Sequence, residues 1–122
     1  MSTLQLSAPG QAPGPMPAAL LVWDDGTSVA VYGRTLFGRN PVRADGVVVV
    51  AVRDETLSLS KTHFEVGGDA EGAWVIDHDS TNGVVLVRRG RRATLTPGQR
   101  TPVRPGDRLE IGDRSVSVQV PA

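Results

Sequence analysis

Three short polar groups carry residue types from which a site could be built: Gly38-Arg39, then Ser60-Lys61-Thr62-His63, then Ser80-Thr81-Asn82-Gly83. Each falls in a loop or at a strand edge, and loops held by a rigid scaffold are where recognition usually sits. Singly, each also has a plain structural reading. Gly38-Arg39 reads as a strand end with a surface arginine, Asn82-Gly83 as a hairpin turn, and Ser60 with His63 as a turn serine beside a satisfied histidine. Two other constellations bear on chemistry. Ser60, His63, Asp77, His78, Asp79 and Ser80 supply the residue types of a hydrolase. Residue type is not geometry, however, and no Gly-x-Ser-x-Gly elbow is present. Two histidines with nearby carboxylates are a weak metal signal, and Asp77 and Asp79 read as solvated loop residues. Arg88, Arg89, Arg91 and Arg92 cluster around Gly90 and could neutralise nucleic-acid phosphates; the competing reading is a solvated hairpin tip. The aromatic residues Trp23, Tyr32, Phe37, Phe64 and Trp74 do not interleave with that cluster as stacking platforms would.

Positioning these groups would fall to short strands. From Leu20 onward apolar runs alternate with turn residues at short intervals, the pattern of a sandwich or barrel of antiparallel strands. No window offers helical apolar spacing free of Gly or Pro. Val116, Val118 and Val120 alternate with Ser117 and Gln119, which predicts a strand with one buried and one wet face. Val47 to Val52 is a continuous apolar run rich in β-branched residues, and it reads as a core strand covered on both sides. Trp74-Val75-Ile76 reads as a strand preceded by a turn at Gly67-Gly68-Asp69. Gly112-Asp113 reads as a two-residue hairpin turn, and Pro97-Gly98 and Pro105-Gly106 as further reversals.

The whole chain of 122 residues suits one hydrophobic core. Residues 1–18, rich in Pro and Gly, read as a flexible lead or linker, and residues 19–122 as the domain. A hydrophobic fraction of 39% with 21% charged residues fits a globular protein and neither a disordered nor a membrane-spanning one. With no secretory signal visible, a cytoplasmic setting is expected, with the domain alone or within a larger, membrane-associated protein. Cysteine is absent, which removes disulfides, thiol catalysis and cysteine-based zinc sites together. Basic and acidic residues balance at 13 each, so any anion must be bound locally rather than by the field of the whole surface. All basic residues but Lys61 are Arg, which suggests GC-rich bacterial coding.

In their order and spacing the three polar groups resemble the forkhead-associated (FHA) family, whose sparse signature is Gly-Arg, then Ser-x-x-His, then a Ser-Thr-Asn-Gly-like loop. The resemblance runs from about Leu20 to Val120. It includes Phe37-Gly38-Arg39-Asn40 at a strand end, Trp74 to Asp77 leading into a loop, and Gly106-Asp107-Arg108-Leu109-Glu110-Ile111-Gly112 near the close. It implies an all-β fold, a twisted antiparallel β-sandwich of about eleven short strands. It also implies a module that binds phosphothreonine in partner proteins marked by a Ser/Thr kinase, catalyses nothing and needs no metal or organic cofactor. No nucleic acid, no direct membrane contact and a monomeric state are expected with it. A phospho-independent scaffold is the alternative, against which the intact Arg39, Ser60 and Asn82 argue.

Carried over by the resemblance, Arg39 and Ser60 would contact the phosphate, with Lys61 as a looser auxiliary contact in a place where many members have Arg. The chemistry suits them, since a phosphoester offers charge and three acceptor oxygens to the guanidinium fork and to a hydroxyl donor. Lys lacks the planar fork. Asn82 would hold the peptide main chain, while Thr81 and Gly83 shape the pocket that favours phosphothreonine. His63 would brace the loops, and Gly38 would admit a close backbone approach. His78 departs from the apolar residue common before this loop, and Val84 stands where a Thr often follows it. Arg88-Arg89-Gly90 occupies the place of a common Asn-Gly turn.

Overall fold

The computed structural model describes residues 16–120, which contain eleven strands and no helix. The strands are β1 (Ala19–Trp23), β2 (Ser28–Val31), β3 (Thr35–Gly38), β4 (Val48–Ala51), β5 (Phe64–Asp69), β6 (Gly72–Asp77), β7 (Val85–Arg88), β8 (Arg91–Thr94), β9 (Thr101–Pro102), β10 (Arg108–Ile111) and β11 (Arg114–Gln119). They form a six-stranded sheet in the order β2-β1-β11-β10-β7-β8 and a five-stranded sheet in the order β4-β3-β5-β6-β9. All pairings are antiparallel except β3 with β4, which run parallel. Most of the lead expected at residues 1–18 lies outside the described residues.

Side chains that alternate along the strands meet between the sheets. Leu21 and Trp23 of β1, Val116 and Val118 of β11, and Leu109 and Ile111 of β10 face Phe37, Phe64, Val66 and Val75 of the other sheet in one core cluster. Phe37 and Phe64 stack at 4.8 Å between ring centroids, and Trp23 tilts against both at 6.2 and 6.1 Å. The period-two reading of β11 agrees with this, since Ser117 and Gln119 are exposed. The reversal at Gly112-Asp113 also falls as expected, with Ile111 paired to Arg114 across two residues.

Two expectations are corrected. The run from Val47 to Val52 is not a covered strand. β4 is an edge of the five-stranded sheet, Val48 and Ala51 are exposed, Val52 is buried in the core and Val50 packs against it only partly buried. β-branched residues favour the extended backbone wherever it lies, so the run specified a strand without specifying its cover. Gly67 and Gly68 are likewise not a turn. Both lie inside β5, and the reversal comes at Ala70-Glu71 between the paired Asp69 and Gly72. Gly67 serves the opposite strand, because a Cβ there would stand 2.4 Å from the indole of Trp74.

The connections β3 to β4, β4 to β5, β6 to β7 and β10 to β11 meet at one end of the sandwich. Asp113 N–H donates to Ser58 Oγ at 2.9 Å and Asn82 Nδ2 donates to the Ser58 carbonyl at 2.7 Å, so the β4–β5 connection is tied to two others.

Candidate functional site

The exit of β3 is fastened to residues 60–62 by main-chain bonds. Arg39 N–H donates to the Ser60 carbonyl and Asn40 N–H to the Lys61 carbonyl, both at 3.0 Å, and Val42 N–H donates to Thr62 Oγ1 at 3.0 Å. Gly38 makes this approach sterically possible. A Cβ at that position would lie 2.0 Å from the Lys61 carbonyl oxygen and 2.9 Å from the His63 nitrogen, both backbone atoms that cannot swing aside.

His63 is fully buried and uses both ring nitrogens. Nδ1 accepts the Ser60 N–H at 3.0 Å, and Nε2 lies 2.8 Å from the Gly83 carbonyl. Since Nδ1 is an acceptor, Nε2 carries the proton and donates it to Gly83. Burial lowers the imidazole pKa, outweighing the Gly83 carbonyl and the carboxylates of Asp77 and Asp54, which act the other way. The neutral ring therefore joins the β4–β5 connection to the β6–β7 connection. It meets Ser60 through the backbone N–H and not the hydroxyl, so the pair is not arranged as nucleophile and base.

The hydroxyl of Ser60 accepts the N–H of Thr81 at 2.9 Å and lies 3.4 Å from Thr81 Oγ1. That second contact is donated by Ser60 and is long, so an incoming acceptor that came closer would displace it. Asn82, exposed, commits one amide hydrogen to Ser58. Its Oδ1 and second hydrogen have no partner among the described residues. Arg39 and Lys61 are exposed at the same rim, and neither side chain makes an ion pair among the described residues. Gly38, Arg39, Ser60, Lys61, His63, Thr81, Asn82 and Gly83 thus form one contiguous group, fixed from behind and open in front.

Two supports were not singled out from the sequence. Asp77, read there as a wet loop residue, is 1% exposed and accepts the Ser80 N–H at 3.1 Å and hydroxyl at 2.6 Å, which closes the turn leading to Thr81. Asp54 accepts the N–H groups of Ser58 and Leu59 at 3.0 and 2.9 Å. Burial raises the Asp54 carboxyl pKa, but the bonds from Leu59 and Ser58 and the charge of Arg39 hold it below its ordinary value. A carboxylate followed three or four positions later by Ser is the sequence sign of such local turns. Asp77-x-x-Ser80 and Asp54-x-x-x-Ser58 both carry that sign.

The remaining candidates sit elsewhere. His78 Nε2 contacts the buried Glu65 at 2.9 Å, and Arg34 Nε approaches the same carboxylate at 2.7 Å. Together they line an open groove of about 810 Å³ on the outer face of the five-stranded sheet. Among the described residues no group of three or more His, Cys, Asp or Glu is arranged to hold a metal ion. The arginine cluster is not simply a solvated tip. Arg88 forks onto the buried Asp107 through Nε at 2.9 Å and Nη2 at 2.7 Å, and Arg92 pairs with Glu110. Arg89 and Gly90 adopt φ of 51° and 77°, so the β7–β8 hairpin closes by a two-residue turn with both central residues left-handed.

The sequence profile of the FHA domain family matches residues 35–112. No curated protein matches the chain. Among solved structures, an FHA domain of an Arabidopsis thaliana hypothetical protein is 21% identical, with a TM-score of 0.67 over 95% of this chain and 96% of that one. A chain from a structural and functional study of phosphothreonine-dependent FHA domain interactions is 23% identical, with a TM-score of 0.63 over 85% and 97%. The MEK1 FHA domain in complex with a HOP1 phosphothreonine peptide is 17% identical, with a TM-score of 0.64 over 88% and 100%. At these identities the likeness speaks to the fold.

Proposed function

We propose, from the premise that this chain belongs to the FHA domain family, that its loop end docks onto phosphothreonine-containing segments of other proteins and so places their assembly under a Ser/Thr kinase. The observation that carries the reading is the grouping of Arg39, Ser60 and Asn82. Each is anchored through its backbone or one side-chain atom; Arg39 and Asn82 are exposed, and the Ser60 hydroxyl spends its proton only on a long 3.4 Å contact with Thr81. A dianionic ester with three acceptor oxygens suits two unpaired cations and a hydroxyl donor. An extended main chain needs a donor and an acceptor side by side, and the Asn82 amide has one of each left. Related folds bound to a phosphothreonine peptide support the same choice.

In this reading Arg39 and Ser60 hold the phosphate and Lys61 adds an outer charge. Asn82 holds the backbone of the peptide, and Thr81 with Gly83 shapes the pocket beneath the threonine methyl. Gly38 and His63 keep the loops in register. The module is an interaction domain acting in the cytoplasm, and its chemistry calls on no cofactor. The test is a binding screen of the chain against an oriented phosphothreonine library, with the same library dephosphorylated as control. Binding confined to the phosphorylated arm is expected, and equal binding in both arms would overturn the reading.

A further inference from the structure

Among the described residues three besides glycine hold a left-handed backbone: Leu57 at φ 55°, Asp79 at 53° and Arg89 at 51°. Asp79 and Arg89 are polar and exposed. Leu57 is apolar and 72% exposed, and it takes no part in the core. It therefore carries two costs at once. A long side chain disfavours a φ above zero, and an exposed leucine keeps its apolar surface in water. No packing among the described residues offsets either one.

The conformation persists because the chain that follows it is tied down. The Asp54 carboxylate accepts the N–H groups of Ser58 and Leu59 at 3.0 and 2.9 Å, and Leu59 is buried in the core. The Ser58 carbonyl accepts a hydrogen from Asn82 Nδ2 at 2.7 Å, and Ser58 Oγ accepts the Asp113 N–H at 2.9 Å. Gly112 permits the second contact, since a Cβ there would stand 2.4 Å from Ser58 Oγ. Leu57 thus belongs to the loop end, next to the residue that anchors Asn82 and three positions before Ser60. Strained residues held in place by surrounding bonds cluster at ligand clamps.

We propose that Leu57 determines specificity by selecting phosphothreonine segments that carry an apolar side chain close to the phosphothreonine, with that side chain covering the exposed leucine. The proposal rests on the phosphopeptide reading and deepens it. Three residues of chain span at most about 11 Å, and an extended peptide advances about 3.3 Å per residue. The selected position therefore lies within about four residues of the phosphothreonine. Asp113 is the competitor for the same stretch of peptide. It is exposed, makes no ion pair among the described residues, and would select a basic side chain. Water satisfies an exposed carboxylate, whereas only an apolar partner relieves an exposed leucine.

The test is calorimetry of the full chain against a phosphothreonine peptide flanked by alanine, and against variants in which one flanking position at a time, out to about four on either side, carries Leu, Lys or Asp. Leu at one position should tighten binding about tenfold over Ala. Leu57→Asn should remove that gain and leave the alanine-flanked phosphopeptide unchanged. The same variant should melt about 2 to 5 °C higher, because asparagine tolerates the left-handed backbone. A merely structural leucine would not move stability and selectivity in opposite directions. If the alanine-flanked phosphopeptide binds and no position favours Leu, this proposal falls and the phosphopeptide reading stands. A preference for Lys in place of Leu, lost in Asp113→Asn, gives the selection to Asp113 and has the same consequence. A Leu57→Asn chain that keeps the preference for Leu also overturns the proposal. Equal binding of the dephosphorylated peptides, or no binding of any phosphopeptide, overturns both.

Discussion

Arg39 and Arg88 stand at opposite ends of the sandwich and are treated in opposite ways. Arg39 is held by its backbone, which donates to Ser60, while its guanidinium stays exposed. Arg88 is held by its guanidinium, which forks onto an Asp107 that is 2% exposed and also reaches the Pro102 carbonyl at 3.2 Å. Partial burial raises the Asp107 carboxyl pKa, but the Arg88 fork, with the N–H and charge of Arg104, holds it below the ordinary carboxylate range. Where arginines crowd along the sequence, Arg88 and Arg92 spend their charge on carboxylates of the fold. Where one stands nearly alone, its charge is left without an ion pair among the described residues. Local density of positive charge is thus a poor guide to where an anion binds, and the absence of a partner for an anchored cation is a better one.

Exchanging the two losses tests this contrast most strongly. Arg39→Ala should cost about 2 to 5 kcal/mol of phosphothreonine-peptide binding, the usual loss when one side of a close charged pair is truncated, with little change in the unfolding midpoint. Arg88→Ala strands a buried carboxylate and should cost about 1 to 3 kcal/mol of stability, discounted for the partial exposure of the pair, with peptide affinity unchanged. Calorimetry and urea unfolding on both variants decide it. Loss of the peptide from a folded Arg88→Ala chain would erase the distinction.

Glycines separate the same two ends. Gly38→Ala forces a Cβ onto the Lys61 carbonyl, so the loop must move. That should cost about 1 to 3 kcal/mol of stability, as overpacking does, and weaken the peptide as Ser60 and Arg39 shift with it. Gly90→Ala meets no atom and only strains a left-handed φ of 77°. Its cost is about 1 kcal/mol, and the peptide should not notice. Equal effects on binding from the two variants would show that the ends are not independent.

Acid acts on the fold in two pH windows. The folded-state pKa of His63 lies below its ordinary 6.5, so the unfolded chain takes up a proton first and stability falls as pH drops through about 6.5. Asp107 and Asp54 have folded-state values below their ordinary 3.8, so their contribution is intact above about pH 4 and is lost as pH falls through that value. Thermal melts should show two successive declines, and His63→Asn should flatten the upper one. A single decline confined to the carboxylate range would mean that the buried imidazole is not held neutral.

The grouping at the loop end was legible because its signals are chemical and local: a glycine before an arginine at Gly38, a serine and histidine three apart, and an Asn-Gly pair, which here joins strands of different sheets and not the two arms of a hairpin. What the sequence hid depends on neighbours distant along the chain. Asp77 reads as a loop carboxylate until Ser80 is seen folded back on it. Arg88 reads as solvated until Asp107 arrives from nineteen positions away. Val47 to Val52 reads as core because β-branched periodicity reports the extended backbone, whereas cover is decided by the sheet order, which places β4 outermost. Gly67 reads as a turn because its partner, the Trp74 ring, lies on another strand.

The smallest effect falls on the residue that departs most from the turn its hairpin requires. Arg89 holds a φ of 51° beside Gly90 at 77°, a conformation that Asn tolerates better than a long unbranched side chain because its short amide can bond locally. No ion pair of Arg89 among the described residues offsets that strain. Arg89→Asn should therefore stabilise the chain by about 0.5 to 1 kcal/mol. The urea midpoint should rise with an unchanged slope, and phosphothreonine binding at the far end should stay the same. A fall in stability would mean that the Arg89 side chain does structural work at the hairpin, as Arg88 does. A fall in affinity would mean that strain at one end of the sandwich is felt at the other.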